Sequence, residues 1–329
     1  MSVPEKTSTA GTDFASTIAE EVAKTVVGQQ VVVERVLIAL LTGGHLLLEG
    51  VPGIAKTLLV QAVGRAIDLD FKRVQFTIDL LPSDIVGSEI LDSTTGEFRI
   101  HKGPAFTNLL LADEINRASP KVQSALLEAM QERKVSIGDS TYELPAPFLV
   151  IATQNPVEQA GTFELPEAQL DRFMLLHRLN YPTPDEEIEV VSRGLQLKLK
   201  RSGDGAIPMT AFDAIATDSP LHIKNLSSAM EDVLKVHVSD VFIRDCVELV
   251  NLTRSHPDIE LGCSPRAAIA LVQASRARAY INGRDYAVPE DFFALAEDVI
   301  LHRIRLTYEA LADGRRSADV LQDLLRTLA

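Results

Sequence analysis

The chain has 329 residues, 46% of them hydrophobic and 24% charged, with a formal net charge of −14 at pH 7. That length suggests two domains with an ordinary globular core. The acidity argues against a broad basic face that would hold nucleic acid nonspecifically, and the lack of Trp leaves few platforms for stacking single strands.

Met1 to Gly11 is polar and rich in Ser and Thr, and a flexible tail is expected over residues 1–13. No basic start followed by an apolar run marks a signal peptide, and no run is long enough to span a bilayer. Phe14, Ile18, Val22 and Val26 have helical spacing, and a second apolar helix is expected from Val31 to Leu41. Between them, Val27 and Gly28 either offer backbone groups to an adenine or form a plain helix–helix turn.

The apolar run His45 to Leu48 then enters Gly50-Val51-Pro52-Gly53-Ile54-Ala55-Lys56-Thr57, and a helical pattern from Leu58 to Ile67 leaves it. Strand, glycine-bearing loop and helix in that order suit a phosphate cradle, with backbone N–H groups and the helix dipole directed at the anion. Lys56 would reach the β- and γ-phosphates and Thr57 would hold Mg²⁺. The P-loop consensus has Gly where this chain has Ala55, so an ordinary strand–turn–helix stays open at this point.

Downstream, Arg73 to Ile78 alternates as a strand, and Leu80 to Gly87 starts a short helix with Ser83 as its N-cap. Two short runs around the turn at Ser93 to Gly96 form a hairpin. Leu109 to Ala112 is an apolar strand delivering Asp113 and Glu114 to its end. Asp113 would hold the metal through its water shell, and Glu114 would act as general base. The alternative is a strand followed by a helix cap, but two such motifs at P-loop separation favour the chemistry. Pro120 opens a helix running to Glu132, and residues 135–144 form a second hairpin. A buried strand from Phe148 to Ala152 ends near Asn155, which either orients the attacking water or merely turns the chain before Pro156. Arg172 precedes the strand Met174 to Leu179, flanked by carboxylates, and by itself can be a salt-bridged surface residue.

The domain boundary is expected near Tyr181-Pro182, followed by a helix capped by Thr183 that runs to about Leu199. Lys200 to Leu221 reads as an irregular connector, and the chain from Leu226 onward as helical, with starts at Ser239 and Ser264 and a stop at Gly283. Cys246 and Cys263 form no CxxC and read as reduced thiols of a cytoplasmic protein, a disulfide being the alternative. The histidines have no paired metal spacing, so no metal beyond Mg²⁺ is implied.

Gly50 to Thr57, Leu109 to Ala118, Ala152 to Pro156, Leu165 to Phe173 and Gly262 to Ala267 together resemble the MoxR group of AAA+ ATPases, from about residue 14 onward. Ala55 in place of Gly is usual in that group. The hairpins at 90–100 and 134–144 resemble its helix-2 insert and pre-sensor-1 hairpin, features shared with magnesium chelatase, dynein-like and MCM-like relatives. The resemblance implies an α/β P-loop AAA+ core with a five-stranded parallel sheet over residues 14–182, and an α-helical lid over 183–329. It implies an ATP/ADP site at Val27, Gly28, Gly50, Val51, Pro52, Gly53, Ile54, Ala55, Lys56, Thr57 and Leu58, with Mg²⁺ at Thr57 and Asp113. Glu114 matches the Walker B base, Asn155 sensor 1, Arg172 an arginine finger reaching a neighbouring subunit, and Arg266 sensor 2, acting in its own subunit or the neighbour's. Arg117 is a second candidate for an intersubunit contact, a salt bridge to the following helix being the alternative. The family further implies a ring, usually hexameric, a partner with a von Willebrand factor A domain, and chaperone-like maturation of client complexes. The alternative functions are a nucleotide-gated interaction protein with negligible turnover and a DNA motor, the latter disfavoured by the acidic charge.

Overall fold

A computed structural model describes residues 9–51, 53, 55–91, 96–156, 161–196, 198–202, 205–215 and 218–328. Expectations at Met1 to Ser8, at Pro52 and Ile54, and at the turn residues Ser93 to Thr95 lie outside the described residues.

Two helices, α1 (Thr9–Ala23) and α2 (Gln30–Thr42), precede β1 (Leu46–Glu49) and α3 (Lys56–Ala66). Then come β2 (Phe71–Gln75), α4 (Pro82–Val86), the hairpin β3 (Gly87–Leu91) and β4 (Phe98–Lys102), and β5 (Leu109–Asp113). Next are α5 (Pro120–Glu132), the hairpin β6 (Lys134–Ile137) and β7 (Ser140–Glu143), β8 (Leu149–Gln154), α6 (Glu167–Leu170) and β9 (Leu175–Arg178). Five strands form one parallel sheet in the order β2-β5-β8-β1-β9.

The central strands read as unbroken apolar runs because helices cover both faces. Alternate residues divide between two cores. Leu46, Leu48, Leu109, Leu111, Leu149 and Ile151 join the side with α1, α2 and α3. Leu47, Leu110, Ala112, Val150 and Ala152 join the side with α4 and α5. This period of two is the pleat itself.

The rest of the chain is α7 (Pro184–Leu195), a hairpin of β10 (Leu199–Ser202) and β11 (Gly205–Pro208), α8 (Ile223–Lys235), α9 (Asp240–Ser255), β12 (Ile259–Leu261), α10 (Pro265–Ile281), α11 (Pro289–Ile300), β13 (Arg305–Leu306), α12 (Tyr308–Ala312) and α13 (Ser317–Leu328). Helix α10 packs against α2 and α1, and α11 against the edge strand β9. The C-terminal helices thus share one apolar cluster with α1, α2 and the near face of the sheet.

Several boundaries differ from the sequence reading. Residues 9–13, expected in the tail, begin α1, and Gly11 lies so close to the Tyr280 carbonyl that a Cβ there would clash. Ser83 lies inside α4. Its N-cap is Leu81, whose N–H donates to the Asp84 carboxylate, so an acid three residues on does the capping. The connector contains the β10–β11 pair, and the helical region contains the short β12–β13 pair. Helix α7 stops at Leu195 but starts as expected, with Thr183 accepting from the Glu186 N–H in a reciprocal capping box.

Candidate active site

The loop after β1 turns sharply into α3. Gly53 has φ +88°, a region that glycine enters without strain, and Ala55 sits at φ +57°. That left-handed position explains why glycine is the consensus there: alanine adopts it at about 1–2 kcal/mol. Helix α3 then begins at Lys56, with its first N–H groups pointing back at the loop. Lys56 Nζ donates to the Gly50 carbonyl at 2.7 Å. Partial burial pushes its pKa down, opposed by the charges of Asp113 and Glu114.

Asp113 ends β5 and is buried. Its Oδ1 accepts from Thr153 Oγ1 at 2.6 Å, and its Oδ2 from Arg73 Nη2 at 2.7 Å and Nε at 3.0 Å, with Thr57 Oγ1 at 3.4 Å. Glu114 follows at φ +56°, a left-handed conformation for a non-glycine residue. Its backbone N–H is anchored by Thr153 Oγ1 at 2.8 Å. Its carboxylate accepts from Gln75 Nε2 at 2.8 Å and pairs with Arg117 Nε at 2.9 Å. A crevice of about 410 Å³ brings together Lys56, Thr57, Asp113, Glu114 and Asn155, with Gly53, Ala55 and Leu58 at its side.

An apolar cavity of about 530 Å³ shares Gly53, Ala55 and Leu58 with that crevice. Val27 and Gln29 line it from the α1–α2 joint, Tyr181 and Pro182 from the end of the core, and Val190 and Val191 from α7. A Cβ on Gly28 would meet the Glu186 carboxylate, so the joint and α7 touch directly. An apolar slot beside a phosphate cradle suits a purine base. The donors fit Mg²⁺ bound to a nucleotide: a hydroxyl and a carboxylate, with phosphates and water completing the shell. Among the described residues no cluster of three or more His, Cys, Asp or Glu could hold a metal without a nucleotide.

Arg172 and Arg266 lie elsewhere. They line a pocket of about 380 Å³ with Gly43, Gly44 and Arg133, just before β1, whereas the phosphate crevice lies beyond its carboxyl end. Arg172 Nη1 donates to the Leu127 carbonyl at 3.0 Å. Asp171 organises this cationic pocket. It accepts from buried Arg303 Nε at 2.8 Å and from Ser264 Oγ, the N-cap of α10, at 2.9 Å, and Arg266 Nη1 stands 3.8 Å away. The C-terminal helices are thereby joined to the residue preceding Arg172.

Residues 45–175 match the model of the ATPase family associated with various cellular activities, and residues 251–324 match an AAA lid domain. The chain is similar to Chaperone MoxR1 of Mycobacterium tuberculosis, 43% identical over 94% of this chain and 80% of that protein. It belongs to the MoxR family of AAA+ ATPases. Protein MoxR of Methylorubrum extorquens is 33% identical over 96% of this chain and 94% of its own length. A crystal structure from Cytophaga hutchinsonii, of a protein assigned as an ATPase, superposes with a TM-score of 0.86 at 42% identity, covering 97% of this chain and 96% of that one.

The crevice gathers Lys56, Thr57, Asp113, Glu114 and Asn155, while both motif arginines line another pocket. Arg73, Gln75, Thr153, Asp171 and Arg303 are contributors that motif reading passed over. Thr153 carried a signal, being a polar residue at the end of an apolar strand. Arg73 and Gln75 share one face of β2, and Gln75 is in register with Asp113. Arg303 carried none, since it reaches Asp171 across 132 residues of chain.

Proposed function

We propose that this chain hydrolyses ATP at the interfaces of a ring of identical subunits and spends the cycle on chaperone-like remodelling of partner proteins. The observation that carries the reading is the division of the machinery into two half-sites. The crevice after β1 holds the lysine, the carboxylates and Asn155, and a separate pocket before β1 holds Arg172 and Arg266. A reacting γ-phosphate in one subunit would meet both sets when the cationic pocket of a neighbour closes over it. Arg266 then acts in trans together with Arg172.

The N-terminus of α3 and Lys56 bind the β- and γ-phosphates, and the apolar slot at Val27 and Tyr181 takes the base. Mg²⁺ held by Thr57 and Asp113 would neutralise phosphate charge. Asn155 and Glu114 orient a water, and Glu114 takes its proton as the oxygen attacks the γ-phosphorus and the bond to ADP breaks. Arg172 of the neighbouring subunit stabilises the charge on the transferred group. The family resemblance alone supports a hexamer and a von Willebrand factor A partner. The two free buried thiols suit a cytoplasmic, reducing setting.

The test is steady-state Mg·ATP hydrolysis against protein concentration, for wild type and Glu114→Gln. Activity that rises more than linearly and vanishes in the variant is expected. Tight ATP binding without turnover in either protein overturns the reading in favour of a nucleotide-gated interaction protein.

A further inference from the structure

Arg73 takes no part in that chemistry, yet it holds the carboxylate on which metal binding depends. Its Nε and Nη2 both reach Asp113 Oδ2, and Nη2 also donates to Gln75 Oε1 at 2.6 Å. Gln75 in turn donates to Glu114 Oε2 at 2.8 Å. Asp113, Arg73, Gln75 and Glu114 thus form one continuous chain of hydrogen bonds from the metal-holding carboxylate to the general base. The guanidinium side chain is 46% exposed against 11% for the carboxylate, so Arg73 can swing into solvent while Asp113 stays fixed by Thr153.

We propose that Arg73 is a tethered cation that competes with the divalent ion for Asp113. The inference rests on the nucleotide-site reading. Thr57 Oγ1 and the Arg73 fork converge on the same Asp113 oxygen. A divalent ion or its water approaching that oxygen meets a guanidinium already there, and the like charges repel. Arg73 satisfies a buried carboxylate that would otherwise be left unpaired. Its departure frees the Gln75 carbonyl, while Glu114 Oε2 stays paired with Arg117. By reciprocity, the Arg73–Asp113 pair weakens metal binding by the same factor by which the metal weakens the pair.

The test uses Mn²⁺ as the probe, titrated onto protein carrying one equivalent of bound ADP, with free Mn²⁺ read by electron paramagnetic resonance. Arg73→Met is compared with wild type, and the double variant Arg73→Met/Asp113→Ala isolates the binding that depends on Asp113. The Asp113-dependent affinity is expected to tighten about tenfold in Arg73→Met, within the usual range of such couplings. Equal or weaker Mn²⁺ binding overturns the inference. Circular dichroism melts check folding, and Arg73→Gln carries the same expectation should the methionine variant fail to fold. Binding of a fluorescent ADP to wild type is measured in parallel. Protein that binds ADP but shows no Arg73 effect overturns this inference alone, whereas protein that binds no ADP overturns the nucleotide reading beneath it.

Discussion

At the scale of single residues, the site depends on backbone positions that most side chains avoid. Ala55 and Glu114 both occupy left-handed conformations, one in the loop that leads into α3 and the other just after β5, where it orients the proposed base. Lys56, Thr57, Asp113 and Glu114, which the structure gathers in one crevice, were legible as candidates because residue type and position next to an apolar strand single each of them out. Arg73 and Gln75 were not, because they reach the carboxylates through the pairing of β2 with β5 and not through sequence proximity. His45 is another residue whose role comes from its surroundings. It is buried at the start of β1, its Nε2 donating to the Met130 carbonyl at 3.1 Å and its Nδ1 accepting from the Val150 N–H at 3.0 Å. Burial pushes its pKa from 6.5 down to about 4, so the folded ring stays neutral. Above pH 6.5 both folded and unfolded chains hold a neutral ring and the group adds no pH dependence. Between 6.5 and 4 the unfolded chain takes up the proton and the folded chain does not, so stability falls as pH falls, by about 3 kcal/mol over the window. Burial lowers His302 as well, with the same sign. Urea denaturation of His45→Gln between pH 7 and 4 is expected to show a shallower loss than wild type, and an unchanged slope would contradict the assignment.

At the scale of elements, local signals placed most helices within a few residues. Thr183, Ser239 and Ser264 each cap the helix they announced, and Gly283 takes φ +71° after α10. The β10–β11 pair escaped because its strands are four residues long and β11 is exposed throughout, so no buried face imprints a period on it. How the C-terminal helices attach to the sheet was also hidden. Arg35 on α2, Asp298 on α11 and His177 on β9 meet in one polar cluster, with Arg35 Nε 2.5 Å and His177 Nδ1 2.8 Å from the Asp298 carboxylate. Arg35 and Asp298 are almost fully buried, and removing Asp298 strips the Arg35 Nε of its partner while Glu34 stays 2.6 Å from Nη1. Asp298→Ala is expected to destabilise the fold by about 1.5–3 kcal/mol, the loss of a hydrogen bond between charged groups, whereas Arg35→Met combined with Asp298→Leu should recover most of that loss. Chemical denaturation of the single and double variants measures the difference. An additive double variant would show that the pair is not coupled.

At the scale of the whole molecule, the two half-sites lie on opposite sides of β1, and in the proposed ring they meet only between subunits. The expected outcome is complementation. Lys56→Ala, unable to bind nucleotide, and Arg172→Ala, lacking the finger, should each be inactive alone. Mixed, they should regain part of the ATPase rate, since some interfaces pair an intact loop with an intact arginine. A mixture as inactive as its components, under conditions where the subunits associate, would place Arg172 outside the shared site. By itself the sequence determined the loop, the two carboxylates, the strands that carry them and the family, because each is written in local spacing and residue chemistry. Only the tertiary structure decided that Arg73 holds Asp113, that Asp171 and Arg303 tie the helical region to Arg172, and that Arg172 and Arg266 share a pocket away from the phosphate crevice. Those relations join segments distant in the chain through strand register and helix packing, which no local pattern encodes.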